Sequence, residues 1–362
     1  SFAITASVIT PPAHALLHWY DRHRRTLPWR CTEGETPDPY RVWLSEIMLQ
    51  QTTVKAVGPY YLRFVERFPT VQALASAPRD DVLAAWAGLG YYSRARNLHA
   101  CAQAVAALGS FPRTVGGLRA LPGIGAYTAA AVAAIAFGVP VVPVDGNVER
   151  VTARLYNVQD PLPAARKTLA QLASGLNTDA PARARPSDFA QALFDLGSSL
   201  CSPRQPACGL CPWQGVCEGY AQGTAATLPR KAPKGERPVR YGVHFMVMDR
   251  AGNVLLRKRP ETGLLAAMTE LPGTEWRATP WTEAEALAHA PVAAQWSNAG
   301  AVKHVFTHFT LNVVVYAAQV ERFSNQDVGE GFLLPAAQTK TASLPSIMQK
   351  CMSTGYNFLH RA

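Results

Sequence analysis

Leu121-Pro122-Gly123-Ile124-Gly125-Ala126-Tyr127-Thr128-Ala129 interrupts a helical pattern for only a few residues. A helix is expected to end near Ala120. Gly123 and Gly125 then allow a tight turn with positive φ, and a new helix starts at about Ala126. Such a turn points successive backbone N–H groups, and the start of a helix, at a single phosphate. An ordinary helix connection with a glycine cap is the competing reading of these residues. The apolar run after it reads as core, and Gly138, Pro140 and Pro143 end it before it could cross a membrane.

Outward from this turn, residues 11–222 read as many short helices. Arg41–Gln51, Asp80–Ala87 and Arg94–Leu108 repeat apolar residues every three or four positions, Pro59, Pro69, Pro78, Pro112 and Pro122 punctuate the pattern, and Asp188–Leu200 reads as a helix. From Gly223 to Pro238 the chain turns to Gly, Thr, Pro, Lys and Arg, the composition of an exposed linker. Beyond it the pattern changes. Tyr241–Met248 and Asn253–Arg259 flank a turn at Asp249–Gly252, Ala301–Thr310 and Leu311–Val320 are β-rich, and Glu283–Ala290 is helix-prone. A helical part followed by an α+β part is expected, and 362 residues suit two or three domains. Hydrophobic residues at 48% against 17% charged supply packed cores and exclude a disordered or fibrous chain. The net charge of +10 is unevenly spread: residues 221–240 hold Arg230, Lys231, Lys234, Arg237 and Arg240 against Glu236 alone. A basic strap between two lobes suits a polyanion. The first residues lack a basic-then-apolar signal pattern, so a protein that is not secreted is expected, and Ser1 fits a trimmed start.

Four of the seven cysteines, Cys201, Cys208, Cys211 and Cys217, form C-x6-C-x2-C-x5-C. Four thiolates can close a tetrahedral zinc site or bind the corners of an iron–sulfur cubane, and spacing alone leaves both open. Cys31, Cys101 and Cys351 stand apart as free thiols, and the odd total speaks against a disulfide framework. Two carboxylates sit in unusual surroundings: Glu46 in Val42-Trp43-Leu44-Ser45-Glu46-Ile47-Met48-Leu49, and Asp145 in Val141-Val142-Pro143-Val144-Asp145-Gly146-Asn147. Desolvation there raises a carboxyl pKa and suits it to donate a proton near neutrality. The blander readings are a solvated helix position for Glu46 and a helix N-cap for Asp145. Cleaving a glycosidic bond needs an acid for the leaving group and an anion for the oxocarbenium-like sugar. Two carboxylates in distinct environments meet that need.

Together these residues resemble the helix-hairpin-helix DNA glycosylase superfamily, and within it the MutY family of adenine DNA glycosylases. The matching segments are Leu27-Pro28-Trp29-Arg30, Pro39–Thr52, Gly88–Asn97, the 121–129 hairpin, Val144–Arg150 and the cysteine loop. The resemblance implies a multidomain chain with an all-α glycosylase part. Its iron–sulfur lobe would comprise 1–31 and 143–222, and its six-helix barrel 32–142. A linker over 223–238 and an α+β Nudix-like domain over 239–362 would follow. Also implied are duplex DNA carrying adenine mispaired with 8-oxoguanine or guanine, a 4Fe–4S cluster on the four cysteines, and a Ca²⁺ or Na⁺ ion at the hairpin. By the same resemblance Glu46 protonates adenine at ring nitrogen 7 and then activates water, while Asp145 stabilises or captures the sugar cation. Tyr127, Asn147 and Arg30 support them. Gln50 and Tyr91 enter the base stack, and Gln51, Thr52, Leu121, Gly123 and Gly125 also meet DNA. Phe306-Thr307-His308 matches a loop reading 8-oxoguanine, with threonine where the family usually has serine.

Bifunctional relatives such as endonuclease III carry a lysine in the slot taken here by Tyr127. Without that amine there is no Schiff base, and an intact abasic strand is the expected product. Nudix hydrolysis needs a glutamate-rich metal helix of the form R-E-x-x-E-E, whereas only Glu275, Glu283 and Glu285 follow Leu271-Pro272-Gly273. A recognition module is therefore expected. Trp19, Trp86, Trp276, Trp281 and Trp296 read as core or domain-interface residues, and His14, His18, His23 and His99 as surface or core. The expected protein is a monomer without membrane contact, at a bacterial nucleoid in the cytoplasm or in a nucleus. A non-catalytic, redox-sensing DNA-binding protein is the reading from another class, and it would not need both Glu46 and Asp145.

Overall fold

In the computed structural model, residues 8–50 and 52–361 are described, with the side chains of Lys340 and Thr341 excepted; Gln51 lies outside them. Contacts divide the chain into two compact units, one of residues up to 76 with 97–234, the other of 77–96 with the residues from 235 on.

The first unit is helical, and its elements start where the sequence supplies caps. Asp38 accepts from the Tyr40 N–H at the head of helix Pro39–Leu49, with Pro39 in the first turn. Thr53 does the same for helix Val54–Arg67 through the Ala56 N–H. At the centre lies Ala126–Phe137, whose residues from Thr128 to Ala136 are almost all buried. Helices Pro39–Leu49, Val115–Arg119 and Pro186–Ser199 pack around it. Its alanines let these neighbours approach closely, and its uniformly apolar character is that of a helix surrounded on every side. Gly138, at φ 65°, ends it in the left-handed conformation. Trp43 is buried against Phe111, with ring centroids 5.5 Å apart.

The stretch read as an exposed linker from 223 to 238 differs in its first part. Leu228 is buried in a cluster with Ala153, Leu162, Ala165 and Leu169. The backbone beside it pairs with Leu162, which donates to the Arg230 carbonyl and accepts from the Ala232 N–H. Composition concealed this because a single apolar residue suffices to anchor a segment that otherwise looks polar. Residues 231–240 are exposed throughout.

The second unit is built on a mixed sheet of β1 (Val239–Asp249), β2 (Asn253–Lys258), β3 (Thr269–Glu270), β4 (Ser297–Val305), β5 (Thr310–Val320) and β6 (Phe332–Pro335). The order is β3-β2-β1-β5-β4, with β6 on β2. β1 runs parallel to β5, while β4 pairs antiparallel with β5. Helix Ser346–Leu359 lies against β1, β4 and β5. The hairpin expected around Asp249–Gly252 is present, and Asp249 ties its ends by accepting from Asn253 N–H at 2.8 Å. The β-rich run expected over 301–310 stops at Val305. Phe306–Phe309 form a turn closed by the Phe306 N–H donating to the Phe309 carbonyl at 2.9 Å.

Residues 77–96 belong by contact to this unit, although they precede it in the chain. Arg79 pairs with Glu261 at 3.2 Å and Asp80 with Lys258 at 3.4 Å. Arg96 donates to the Ala266 carbonyl. Among the described residues no helix is long and apolar enough to cross a membrane.

Candidate active site

Glu46 lies on the inner face of helix Pro39–Leu49 and is 7% exposed. Burial pushes its carboxyl up to about 7; Tyr127 and Arg30 oppose the rise and the charge of Asp145 adds to it. Tyr127, in the first turn of the helix after the glycine turn, donates its hydroxyl to Glu46 Oε2 at 2.6 Å. The solvated reading of Glu46 is thereby excluded. Since Asp145, Arg30 and Tyr127 are all felt by Glu46, four of the five expected catalytic residues share one electrostatic site.

Asp145 is both an N-cap and a member of that site. Its Oδ1 accepts from the Val148 N–H at 2.8 Å at the head of helix Gly146–Leu155, and its Oδ2 accepts from Asn147 Nδ2 at 3.3 Å. Burial raises its carboxyl above the usual range, against these hydrogen bonds and the Arg150 charge, which favour the anion. Asn147 is itself held: Arg150 Nη2 donates to its Oδ1 at 2.9 Å, so the amide nitrogen faces Asp145. Arg150 also donates to the carbonyls of Gly197 and Cys201.

Arg30 does not stand alone. It makes a two-pronged pair with Asp195, at 2.9 and 2.8 Å, while Arg25 reaches the same carboxylate at 2.6 Å. Burial by itself would raise the Asp195 carboxyl, but Arg30 and Arg25 hold it below the usual range. Asp195 and Arg150 were not singled out from the sequence. The signal for Asp195 was available: one acid inside the apolar helix Phe189-Ala190-Gln191-Ala192-Leu193-Phe194-Asp195-Leu196, the same pattern that marked Glu46.

The glycine turn has the form a phosphate needs. Leu121 and Ile124 are buried anchors, whereas Pro122, Gly123, Gly125 and Ala126 are exposed. Gly123 has φ 71°, and a Cβ there would fall 2.6 Å from Asn97 Cβ, so both its backbone conformation and its space require glycine. Leu121 is buried, its N–H donates to the Leu118 carbonyl and its own carbonyl accepts from the Ile124 N–H. Gln50, just past Glu46's helix, donates to Thr128 Oγ1 at 3.2 Å, and Thr52 donates to the Gln50 carbonyl at 3.3 Å.

Tyr91 and Thr307 come together in the second unit, their hydroxyls 3.0 Å apart. Tyr91 is exposed and has φ 50°, an unusual conformation for an aromatic residue, and Arg94 lies over its ring. Thr307 and His308 are exposed at the tip between β4 and β5. Of the glutamates considered for a Nudix metal site, Glu285 pairs with Arg277 at 2.7 Å. Among the described residues no three His, Cys, Asp or Glu side chains are grouped to hold one metal ion.

The four cysteines follow helix Pro186–Ser199 and line one cavity with Arg154, Leu200, Pro206 and Tyr220. Four thiols around one cavity can each bind one iron of a cluster. The surroundings fit that group. Arg154, 1% exposed, points Nη1 at Cys201 Sγ (3.3 Å), and the Trp213 N–H donates to Cys211 Sγ at 3.4 Å. Burial pushes the Cys211 thiol up to about 12, so bound iron must supply the positive charge that keeps such sulfurs as thiolates.

Comparison with known proteins agrees with this geometry. Residues 44–177 match the HhH-GPD superfamily of base excision DNA repair proteins, residues 201–217 the iron–sulfur binding domain of endonuclease III, and residues 243–354 the NUDIX domain. The chain thus carries an iron–sulfur cluster, and the matched binding domain falls on the segment that holds these cysteines. The solved structure of a thermostable thymine-DNA glycosylase is 30% identical, with a TM-score of 0.50 over 58% of this chain and 95% of its own. Adenine DNA glycosylase of Homo sapiens is 34% identical over 367 residues, covering 85% of this chain, which spans 66% of that relative's length. Adenine DNA glycosylase of Mycolicibacterium smegmatis is 40% identical over 232 residues, 62% of this chain and 76% of that one. With its helical glycosylase unit, its cluster loop and its Nudix-like sheet, the chain belongs to the adenine DNA glycosylase family.

Proposed function

We propose that this protein hydrolyses the N-glycosidic bond of adenine mispaired with 8-oxoguanine, or with guanine, in duplex DNA and leaves an intact abasic strand. The observation that carries the reading is the electrostatic coupling of a buried Glu46, half protonated near neutrality, to Asp145, whose carboxyl burial raises while hydrogen bonds from Val148 and Asn147 oppose the rise. Adenine is a poor leaving group until a ring nitrogen is protonated. Glu46 is the acid for that step, and its conjugate base then takes a proton from the attacking water. Asp145 faces the positive charge that develops on the sugar and either stabilises it or captures it covalently. Asn147 keeps Asp145 aimed, and the Tyr127 hydroxyl steadies the Glu46 carboxylate once the proton has left.

Extruding adenine from the stack costs a few kcal/mol. The exposed Gly123, Gly125 and Ala126 of the turn offer backbone N–H groups to one phosphate, with or without a Ca²⁺ or Na⁺ ion, and Gln50, Gln51, Thr52 and Tyr91 offset the lost stacking. Thr307 and His308 read the oxidised guanine by hydrogen bonds. Tyr127 occupies the position a Schiff-base lysine would need, and its hydroxyl is committed to Glu46, which favours hydrolysis without strand cleavage. The protein acts as a monomer at the chromosome.

A single-turnover assay on a duplex with one adenine opposite 8-oxoguanine, developed with and without alkali, tests this. Breaks that appear only after alkali, and vanish with Glu46→Gln, are expected. Breaks without alkali would contradict the assignment of Tyr127. Absence of breaks from cluster-loaded protein that binds the duplex would overturn the enzymatic reading.

A further inference from the structure

The tip that presents Thr307 and His308 stands on an aromatic pedestal. Val305 and Thr310 pair across β4 and β5, so residues 306–309 form the whole turn. Phe306 and Phe309 pack as a tilted pair with centroids 4.9 Å apart, and His304 meets Phe306 edge-on at 4.6 Å. Beneath them lies Trp276, its ring stacked on Phe306 at 5.9 Å and 6.4 Å from Phe309.

Trp276 is locked in place. Its indole N–H donates to Nε2 of His244 at 3.1 Å, and the other ring nitrogen of His244 contacts the Leu271 carbonyl at 2.8 Å. A carbonyl can only accept, so the proton sits on Nδ1 and Nε2 is left as the acceptor the indole requires. His244 is buried on β1 and is therefore held in this neutral form. The Arg259 guanidinium lies 4.6 Å over the indole and is itself paired to Glu270 at 2.8 Å. Below the indole is Gly242, where a Cβ would fall 2.3 Å from Trp276 Cδ1. A residue confined on these sides, only half-buried and touching a functional turn, does more than fill space.

We propose that Trp276, oriented by His244, is a specificity-determining positioning residue: it fixes the 306–309 tip so that Thr307 and His308 meet an oxidised guanine. It thereby sets the preference for 8-oxoguanine over guanine opposite adenine. This rests on the function proposed above. The effect so proposed falls on discrimination and not on the excision step.

Single-turnover adenine excision from 8-oxoguanine:adenine and guanine:adenine duplexes, with the full cluster-loaded chain, decides the matter. Trp276→Leu keeps apolar bulk but loses the stack and the N–H, and a loss of about tenfold in the rate ratio is expected, of the size aromatic pairs contribute. The guanine:adenine rate should stay within about twofold. Trp276→Phe restores a ring beneath Phe306 and should bring the ratio back to within about threefold of wild type. Equal ratios in the wild type and Trp276→Leu, or equal ratios in the Leu and Phe variants, would overturn the proposal. A parallel fall in both rates would also overturn it, by showing a purely structural role. A wild type that excises no adenine from either duplex sinks the underlying function as well, so the two failures are distinguishable.

Discussion

Glu46→Gln should make the protein more stable, and the gain should grow with pH. The folded carboxyl is raised to about 7 from an ordinary value of 4.5. Below pH 4.5 the group is protonated in both folded and unfolded chains, and glutamine mimics it closely, still accepting from Tyr127. Between pH 4.5 and 7 the unfolded chain gives up this proton to water while the buried carboxyl keeps it, and above 7 both states are ionised and the difference levels off. The wild type therefore loses stability over that window, and the glutamine variant does not. Each pKa unit is about 1.4 kcal/mol, so the full loss is about 3 kcal/mol. Between pH 5.5 and 8 about 2 kcal/mol of it should be seen. At roughly 2–4 °C per kcal/mol for a unit of this size, the melting temperatures of variant and wild type should separate by about 4–8 °C more at pH 8 than at pH 5.5. Thermal melts of the cluster-loaded proteins by circular dichroism measure this directly. A gap that stays constant with pH would mean that Glu46 ionises in the fold as it does in water. The acid assigned to adenine protonation would then be lost with it.

Other outcomes follow from the same geometry. The single-turnover excision rate should fall as pH rises through about 7, because the proton needed on Glu46 is lost there; Tyr127→Phe, which removes a hydrogen bond to the anion, should move that descending limb up by about one to two pH units. A pH profile unmoved by Tyr127→Phe would contradict the coupling. Gly197→Ala places a Cβ 2.7 Å from Asn147 Cβ, and the displaced amide should lower excision about 100-fold while duplex binding, read by gel shift, changes little. Arg154→Met leaves the carbonyls of Ser202, Pro203 and Leu228 without their buried donor, so a loss of about 3 kcal/mol or more and of the cluster's visible absorbance is expected. Ala267→Gly should stabilise the protein by roughly 0.5–1 kcal/mol, because Ala267 sits at φ 58° where only glycine is unstrained; an unchanged melt would refute that strain.

What the sequence revealed was whatever a local pattern can carry. A lone acid in an apolar helix, two glycines at a helix junction, and four thiols in a short loop each impose their chemistry on neighbours a few residues away. Glu46, the 121–129 turn and the cysteines were legible for that reason. The Arg30–Asp195 pair joins residues 165 positions apart, and only the packing of helix Pro186–Ser199 brings them together. Residues 77–96 meet the second unit through contacts far apart in sequence, such as Arg79 with Glu261 and Tyr91 with Thr307, that no periodicity announces. The resemblance marked Phe306-Thr307-His308 as a loop, but periodicity alone ran a strand through it. Alternation of larger and smaller residues continues through His304-Val305-Phe306-Thr307-His308, so the period of a strand persists where the chain reverses. Trp276 shows the limit most sharply. From sequence it is one tryptophan among several suited to a core, and its meaning depends on which ring lies above it and which nitrogen faces its N–H. Residues that perform chemistry leave local marks, because the chemistry constrains their immediate surroundings. Residues that hold others in place are specified by the fold, and the structure is needed to find them.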